Sequence, residues 1–235
     1  MAIFDNSPQG SPAWFEARKQ VDPTKGGLTA SQVPSLLGVG YDSVQELYRS
    51  NVLGVKKAST PFLEKLFKYG HDTEPVAADA IESLGIFRWG TEIKECGFIT
   101  NPKYPNLGAT PDRLAYTEEG LVCIEIKCPQ KFSTELLAGG TKFWRYIIQL
   151  QVQIMVSEAI GGVLFIYLPD GENLVYWWPR CNRLENIILT YHQLYIECCL
   201  AKTEPPVQSP KKKELANNYF NDWFAKWGKK LDLSE

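Results

Sequence analysis

Leu107-Gly108-Ala109-Thr110-Pro111-Asp112-Arg113 and, after a polar turn, Val122-Cys123-Ile124-Glu125-Ile126-Lys127-Cys128-Pro129 are the stretches whose reading decides the fold. Between them, Thr117-Glu118-Glu119-Gly120 reads as a hairpin turn, so Asp112–Tyr116 and Leu121–Lys127 are predicted to pair as antiparallel strands. Val122, Ile124 and Ile126 alternate with Cys123, Glu125 and Lys127, and Pro129 closes the run. Side chains on a strand alternate faces, so Glu125 and Lys127 point the same way. Charge on a face of an otherwise apolar strand is costly to bury without a partner. A solvated hairpin face would relieve that cost, and so would a site that uses the charges; the apolar surroundings favour the second.

Hard divalent cations take carboxylate and carbonyl oxygens, with water completing the shell. Hairpin pairing would place Asp112 beside Glu125, and the Ile126 carbonyl lies between Glu125 and Lys127 as a third donor. Lys127 would stand beside a water attacking phosphorus, orienting it and favouring hydroxide. A metal there would offset charge building on phosphate oxygens. The expectation is metal-dependent phosphodiester hydrolysis.

Upstream, Pro12–Gln20 is a short amphipathic start. Thr29 with Gln32 fits a capping box, and capping at Ser31 would accommodate Pro34 better; both place Ser31 at a helix N-terminus, where exposed N–H groups attract anions. Ser43–Val52 is predicted helical. Pro61–Gly85 is predicted helical with a break at Gly70–Pro75, which leaves Glu74 at the start of the second half. Glu92–Thr100 reads as one strand. Downstream, Phe143–Glu158 is predicted as a helix bearing Gln149, Gln151 and Gln153. Gly162–Pro169 and Leu174–Pro179 are predicted strands around a hairpin signal, and Asn182–Lys202 is a long helix. The order implies a mixed sheet flanked by helices, α/β or α+β. Residues 1–203 form the expected principal domain, and residues 204–235 a Pro/Lys linker followed by an aromatic helix over Leu215–Leu231.

The chain has 235 residues, 44% of them hydrophobic, enough for one large domain. Its net charge of −2 neither marks nor excludes a nucleic-acid binder, because a basic track and an acidic metal site cancel in the sum. No run approaches the roughly 18 apolar residues of a membrane helix. Met1–Gly10 lacks a signal-peptide core, so a soluble intracellular protein with no membrane association is expected. The six cysteines form no C-x-x-C pair and are expected to be free thiols.

The Pro111-Asp112 … Glu125-Ile126-Lys127 pattern resembles the PD-(D/E)XK nuclease superfamily, with its restriction-endonuclease-like core. Trp14 with Arg18, Leu28-Thr29-Ala30-Ser31, Gly70 with Glu74, Thr110-Pro111-Asp112, Glu125-Ile126-Lys127-Cys128-Pro129 and Gln149-Leu150-Gln151 occur in an order similar to that of the lambda exonuclease and YqaJ-type viral recombinases. The resemblance implies a Mg²⁺-dependent exonuclease, with Mn²⁺ as a substitute, that digests linear double-stranded DNA 5′ to 3′. It would leave 3′ tails for a single-strand annealing protein. It also implies a ring-shaped homotrimer and a viral or phage origin. By motif, Asp112, Glu125 and Ile126 would bind metal, and Lys127 would activate water. Glu74 and Gln151 would complete the site, and Arg18 and Ser31 would bind the 5′-phosphate. Arg18 lies further from Ser31 than the family usually has it, which leaves Lys19 or Lys25 as alternatives, and Arg113 stands where the family commonly has Gly. A Cas4-like iron–sulfur nuclease would need four converging cysteines, and a catalytically inactive DNA-binding protein would not need Asp112, Glu125 and Lys127 together.

Overall fold

The computed structural model describes residues 1–55, 58–88, 91–169, 171–207 and 229–230. Among these the chain runs β1 (Ile3–Phe4), α1 (Pro12–Ala17), β2 (Leu28–Thr29), α2 (Val44–Asn51), α3 (Pro61–Ser83), β3 (Glu92–Lys94), β4 (Ile99–Thr100), β5 (Leu107–Ala109), β6 (Arg113–Thr117), β7 (Gly120–Lys127), α4 (Thr141–Ser157), β8 (Gly161–Ile166), β9 (Leu174–Pro179), α5 (Asn182–Leu200) and β10 (Lys229–Lys230). The hairpin forms as read: Arg113 pairs with Ile124 and Thr117 with Gly120. Thr117 closes the turn, its hydroxyl donating to the Gly120 carbonyl and accepting from the Gly120 N–H.

From this hairpin a six-stranded sheet grows in the order β10-β9-β8-β7-β6-β3. β7 and β8 are parallel, which requires a crossover, and α4 supplies it. A second sheet, β1-β4-β5-β2, lies alongside, with β2 and β5 parallel.

The alternation in β7 sets the two layers. Val122, Ile124 and Ile126 pack with Ala77, Ala78 and Ile81 of α3. Cys123 faces the other way, into the core built on α4. Burying each Val or Ile side chain is worth about 1.5–3 kcal/mol. The α4 layer sits close: a Cβ at Gly162 would meet Leu150 Cδ1 at 2.6 Å, so a larger residue there would have to displace the Leu150 side chain.

Three expectations are corrected. α3 is one helix from Pro61 to Ser83, with no break at Gly70–Pro75. Pro75 removes the N–H that would bond to the His71 carbonyl, at a cost of about 3 kcal/mol. Ala77, Ala78 and Ile81, all buried just beyond it, hold the helix against the sheet. Glu74 is therefore mid-helix. The half before it is open, with Phe62 71% and Phe67 68% exposed. Second, Glu92–Thr100 is two strands in different sheets, β3 and β4. The chain turns at Gly97, where a Cβ would lie 2.4 Å from the Asp5 carbonyl oxygen of the N-terminal segment. Third, no α-helix starts at Ser31. Thr29 uses Gln32 as a cap, but only a three-residue 3-10 turn, Val33–Ser35, follows.

The expected aromatic helix of the tail lies outside the described residues except at Lys229–Lys230, which form a short strand on β9 instead. All six cysteines are free thiols, two buried and four partly buried. Among the described residues no helix is long and apolar enough to cross a membrane.

Candidate active site

Glu125 and Lys127 project from the end of β7 toward α4, the face that Cys123 also takes. Glu125 is 1% exposed. Lys127 Nζ donates to Glu125 Oε1 and lies 5.3 Å from the centre of the Tyr146 ring. From α4, Gln149 Nε2 donates to Glu125 Oε1 at 2.6 Å and Gln153 Nε2 donates to Oε2. Gln153 also reaches the Thr110 carbonyl at 3.3 Å.

Asp112 precedes β6 and is locked to β7 twice. Its N–H donates to the Ile124 carbonyl at 3.1 Å, and its Oδ2 accepts from the Ile126 N–H at 2.6 Å. The N–H and C=O of a strand residue point to the same edge, so the Ile126 carbonyl is directed to the Asp112 side. The two predicted acidic donors and the carbonyl are thus brought together at one strand end.

The charge balance there is uneven. Burial pushes the Asp112 carboxyl well above the usual carboxylate range, and the Glu125 charge adds to it; Lys127 and the Ile126 N–H oppose, while Glu74 adds further. Burial alone would lower the Lys127 pKa, but Glu125 and Asp112 reverse the sign and hold the ammonium charged. Glu74 acts across the site on Asp112 and, after burial itself, helps push the Cys128 thiol up to about 11.

A divalent cation fits this donor set: one buried and one partly buried carboxylate, a carbonyl and one lysine leave a negative surplus that a hard cation would offset. Gln153 Oε1, beside Glu125, is the one buried side-chain oxygen or nitrogen without a hydrogen-bond partner among the described residues. The three carboxylates do not close on a common point, however. Among the described residues no group of three or more His, Cys, Asp or Glu side chains is gathered tightly enough to hold an ion. No four cysteines converge among the described residues.

Next to Glu125 opens a cavity of about 150 Å³ lined by Gln9, Trp14, Arg18, Thr29, Ala30, Ser31, Thr110 and Gln149. Arg18 is half-buried there, its guanidinium 4.4 Å from the centre of the Trp14 ring, and burial lowers its pKa. Trp14 is fixed in turn by its Nε1 donating to the Thr110 hydroxyl at 3.3 Å. The Ser31 hydroxyl is 3.4 Å from that of Thr29. The sequence separation between Arg18 and Ser31 is absorbed by a loop, Asp22–Gly27, that folds back on itself through the Gly27 N–H to the Asp22 carbonyl. The alternatives are engaged elsewhere: Lys19 pairs with Glu16 and Lys25 with Asp22, both at the surface. Among the described residues no carboxylate pairs with Arg18. Larger cavities, of about 620 Å³ beside Tyr104 and α5 and about 650 Å³ beside Arg88, lie away from the carboxylates.

Gln151 is not part of this arrangement. Its Oε1 accepts from Trp178 Nε1 at 2.8 Å and from the Cys181 N–H, and its Nε2 donates to Glu185. An α-helix turns about 100° per residue, so Gln149 and Gln153 share a face and Gln151 lies roughly opposite. The usable signal was that i, i+4 pair. It was masked because nearly every residue from Phe143 to Ser157 is buried, and a helix apolar all round gives no periodicity to orient it. Arg113, placed where a glycine was expected, bonds its own neighbour's Asp112 carbonyl and pairs with Glu95.

The sheet order, the crossover α4 and the acidic strand end together define a restriction-endonuclease-like α/β fold. Residues 13–160, more than half of the chain, match the YqaJ-like viral recombinase domain, and the chain belongs to that family. It is similar in structure to an alkaline exonuclease (LHK-Exo) from Laribacter hongkongensis, with a TM-score of 0.54, 23% identity, and coverage of 92% of this chain and 99% of that one. A second structure of LHK-Exo, in complex with dAMP, gives a TM-score of 0.56 at the same identity and coverage. No curated protein matches the chain in sequence.

Proposed function

We propose that this protein is a Mg²⁺-dependent exonuclease that degrades linear double-stranded DNA from its 5′ ends and leaves 3′ single-stranded tails. The observation that carries the reading is the adjacency of two unlike features. A negative, lysine-bearing strand end lies beside a small cavity holding Arg18, which no described carboxylate pairs. The first suits phosphodiester hydrolysis, and the second suits a terminal phosphate.

Asp112, Glu125 and the Ile126 carbonyl would hold the metal, with Mn²⁺ as a substitute and Glu74 adding charge from α3. When bound, it supplies Lewis-acid stabilisation of charge on the phosphate. Lys127 holds a water by hydrogen bond on the attack side and adds positive charge there. Its neighbours Glu125 and Tyr146 keep the ammonium in place. Gln153 fixes Glu125 to the Thr110 backbone, so the carboxylate does not swing. The water oxygen bonds to phosphorus as its proton passes to solvent, the P–O3′ bond breaks, and solvent protonates the departing oxygen. The shortened strand then carries a new 5′-phosphate, the group that Arg18 and Ser31 would receive for the next cycle.

The family and the tails point to a single-strand annealing protein as partner. A homotrimer and action inside a phage- or virus-infected host cell complete the proposal. The test uses linear duplex with a 5′-phosphate, the same duplex with a 5′-hydroxyl, and a covalently closed circle. Loss of the 5′-phosphorylated strand, slower loss of the hydroxyl form and an intact circle are expected, all requiring Mg²⁺. Cleavage of the circle rejects end dependence, and undiminished activity in Lys127→Ala rejects the mechanism.

A further inference from the structure

One side chain belongs to both halves of the site. Gln149 lines the Arg18 cavity, and its amide donates to Glu125 Oε1 at 2.6 Å. A carboxylate oxygen has two lone pairs, and at Oε1 both are in use, by Lys127 and Gln149. A cation reaching that oxygen must displace one of the two donors.

The three donors to Glu125 differ in freedom. Gln153 is fully buried and tied also to the Thr110 carbonyl. Lys127 is held by charge. Gln149 is partly exposed on the cavity wall, with open space before it. Turned from Oε1 into the cavity, its Nε2 would be free to donate to an anion held beside the Arg18 guanidinium.

We propose that Gln149 is a positioning residue that couples terminal-phosphate binding in the Arg18 cavity to cation binding at Glu125. In the unloaded site its amide occupies the carboxylate oxygen. A phosphate in the cavity draws the amide away and frees that oxygen for a divalent cation; a cation at Oε1 releases the amide to the phosphate. Such coupling is reciprocal by thermodynamic necessity. The inference rests on the cavity being the 5′-phosphate pocket.

Binding rather than turnover tests it. The probes are a fluorescent blunt duplex ending in a 5′-phosphate and its 5′-hydroxyl counterpart. Each is titrated by anisotropy in EDTA and in Ca²⁺, an oxygen-seeking divalent ion, with gel controls for intact DNA. Wild-type protein should prefer the phosphorylated end, and Ca²⁺ should raise that preference roughly fivefold or more, the low end of site-to-site couplings. In Gln149→Leu, which keeps size but loses the donor, and in Gln149→Ala, the preference should be the same in both conditions. Two results overturn the coupling and leave the pocket standing: a wild-type preference that Ca²⁺ does not change, or a Gln149→Leu preference that rises as in wild type. A wild-type protein indifferent to the 5′-phosphate in both conditions overturns the pocket and this inference together.

Discussion

Helix α4 carries buried polar clusters on opposite sides, and they are built differently. On one side Gln151 is bonded at both ends, to Trp178, Cys181 and Glu185, and Glu185 is paired with Arg180 at 2.8 Å. Each charge there has one opposite charge. On the other side Asp112 and Glu125 face a single lysine, and Gln153 keeps an unpartnered oxygen. Buried polar groups are normally satisfied, so burial of a glutamine or glutamate says little by itself. The imbalance is the informative feature. A balanced cluster specifies packing, whereas a surplus of one charge at the end of a strand waits for a ligand of the other sign.

The largest effect should come from removing the surplus. Glu125→Gln keeps the shape and deletes the charge, and turnover of linear duplex should fall by about a thousandfold, on the scale of losing a preorganised electrostatic partner. The fold should survive, because Gln149, Gln153 and the strand ladder remain. A variant within tenfold of wild type would remove Glu125 from the chemistry.

The next experiment sets the two sides of α4 against each other. Gln153→Leu should lower turnover by about 10–100-fold, the usual cost of losing a residue that orients a ligand. Gln151→Leu should leave turnover nearly intact but destabilise the protein by about 1–3 kcal/mol, since the Trp178 indole and the Cys181 N–H lose their buried acceptor. Denaturant melts beside initial rates separate the two. If Gln151→Leu instead abolishes activity in a stable protein, the contrast between the clusters fails.

That contrast also marks what the sequence could carry. The hairpin, the alternation of β7 and the gathering of Asp112, Glu125 and Lys127 were readable because strand period and turn chemistry are local. So was the strand–helix–strand order that makes β7 and β8 parallel. Which glutamine meets Glu125 was not readable: α4 is buried all round, and its rotation is set by what packs on it, Gly162 beneath Leu150 included. Pro75 misled for a related reason. Its local cost argues for a break, and the docking of Ala77, Ala78 and Ile81 on the sheet overrides it. The Arg18 cavity joins residues from α1, β2, the segment just after β5 and α4, which no short-range pattern contains.

The smallest effect separates Asp112 from its neighbours through pH. In EDTA the Asp112 carboxyl has a folded-state pKa raised by burial and by Glu125 above its ordinary value of 3.8. A group that binds its proton more tightly when folded leaves the folded state with more bound protons than the unfolded one, between the two pKa values. Its stabilising contribution is whole below the unfolded value and is lost as pH rises through the folded one. The wild type should therefore lose stability relative to Asp112→Asn from about pH 4 upward, and the two melting curves should converge below that. Lys127 titrates far above this window and does not confuse the sign. A divalent cation should restore the wild type, by about 2.7 kcal/mol at a hundredfold excess over its Kd, and stabilise Asp112→Asn much less. A wild-type melting temperature that rises from pH 4 in parallel with the variant would mean that Asp112 is comfortably ionised without metal. Both carboxylates would then sit charged beside one lysine at no cost in stability, and the imbalance that sets this side of α4 apart would not be waiting for a cation.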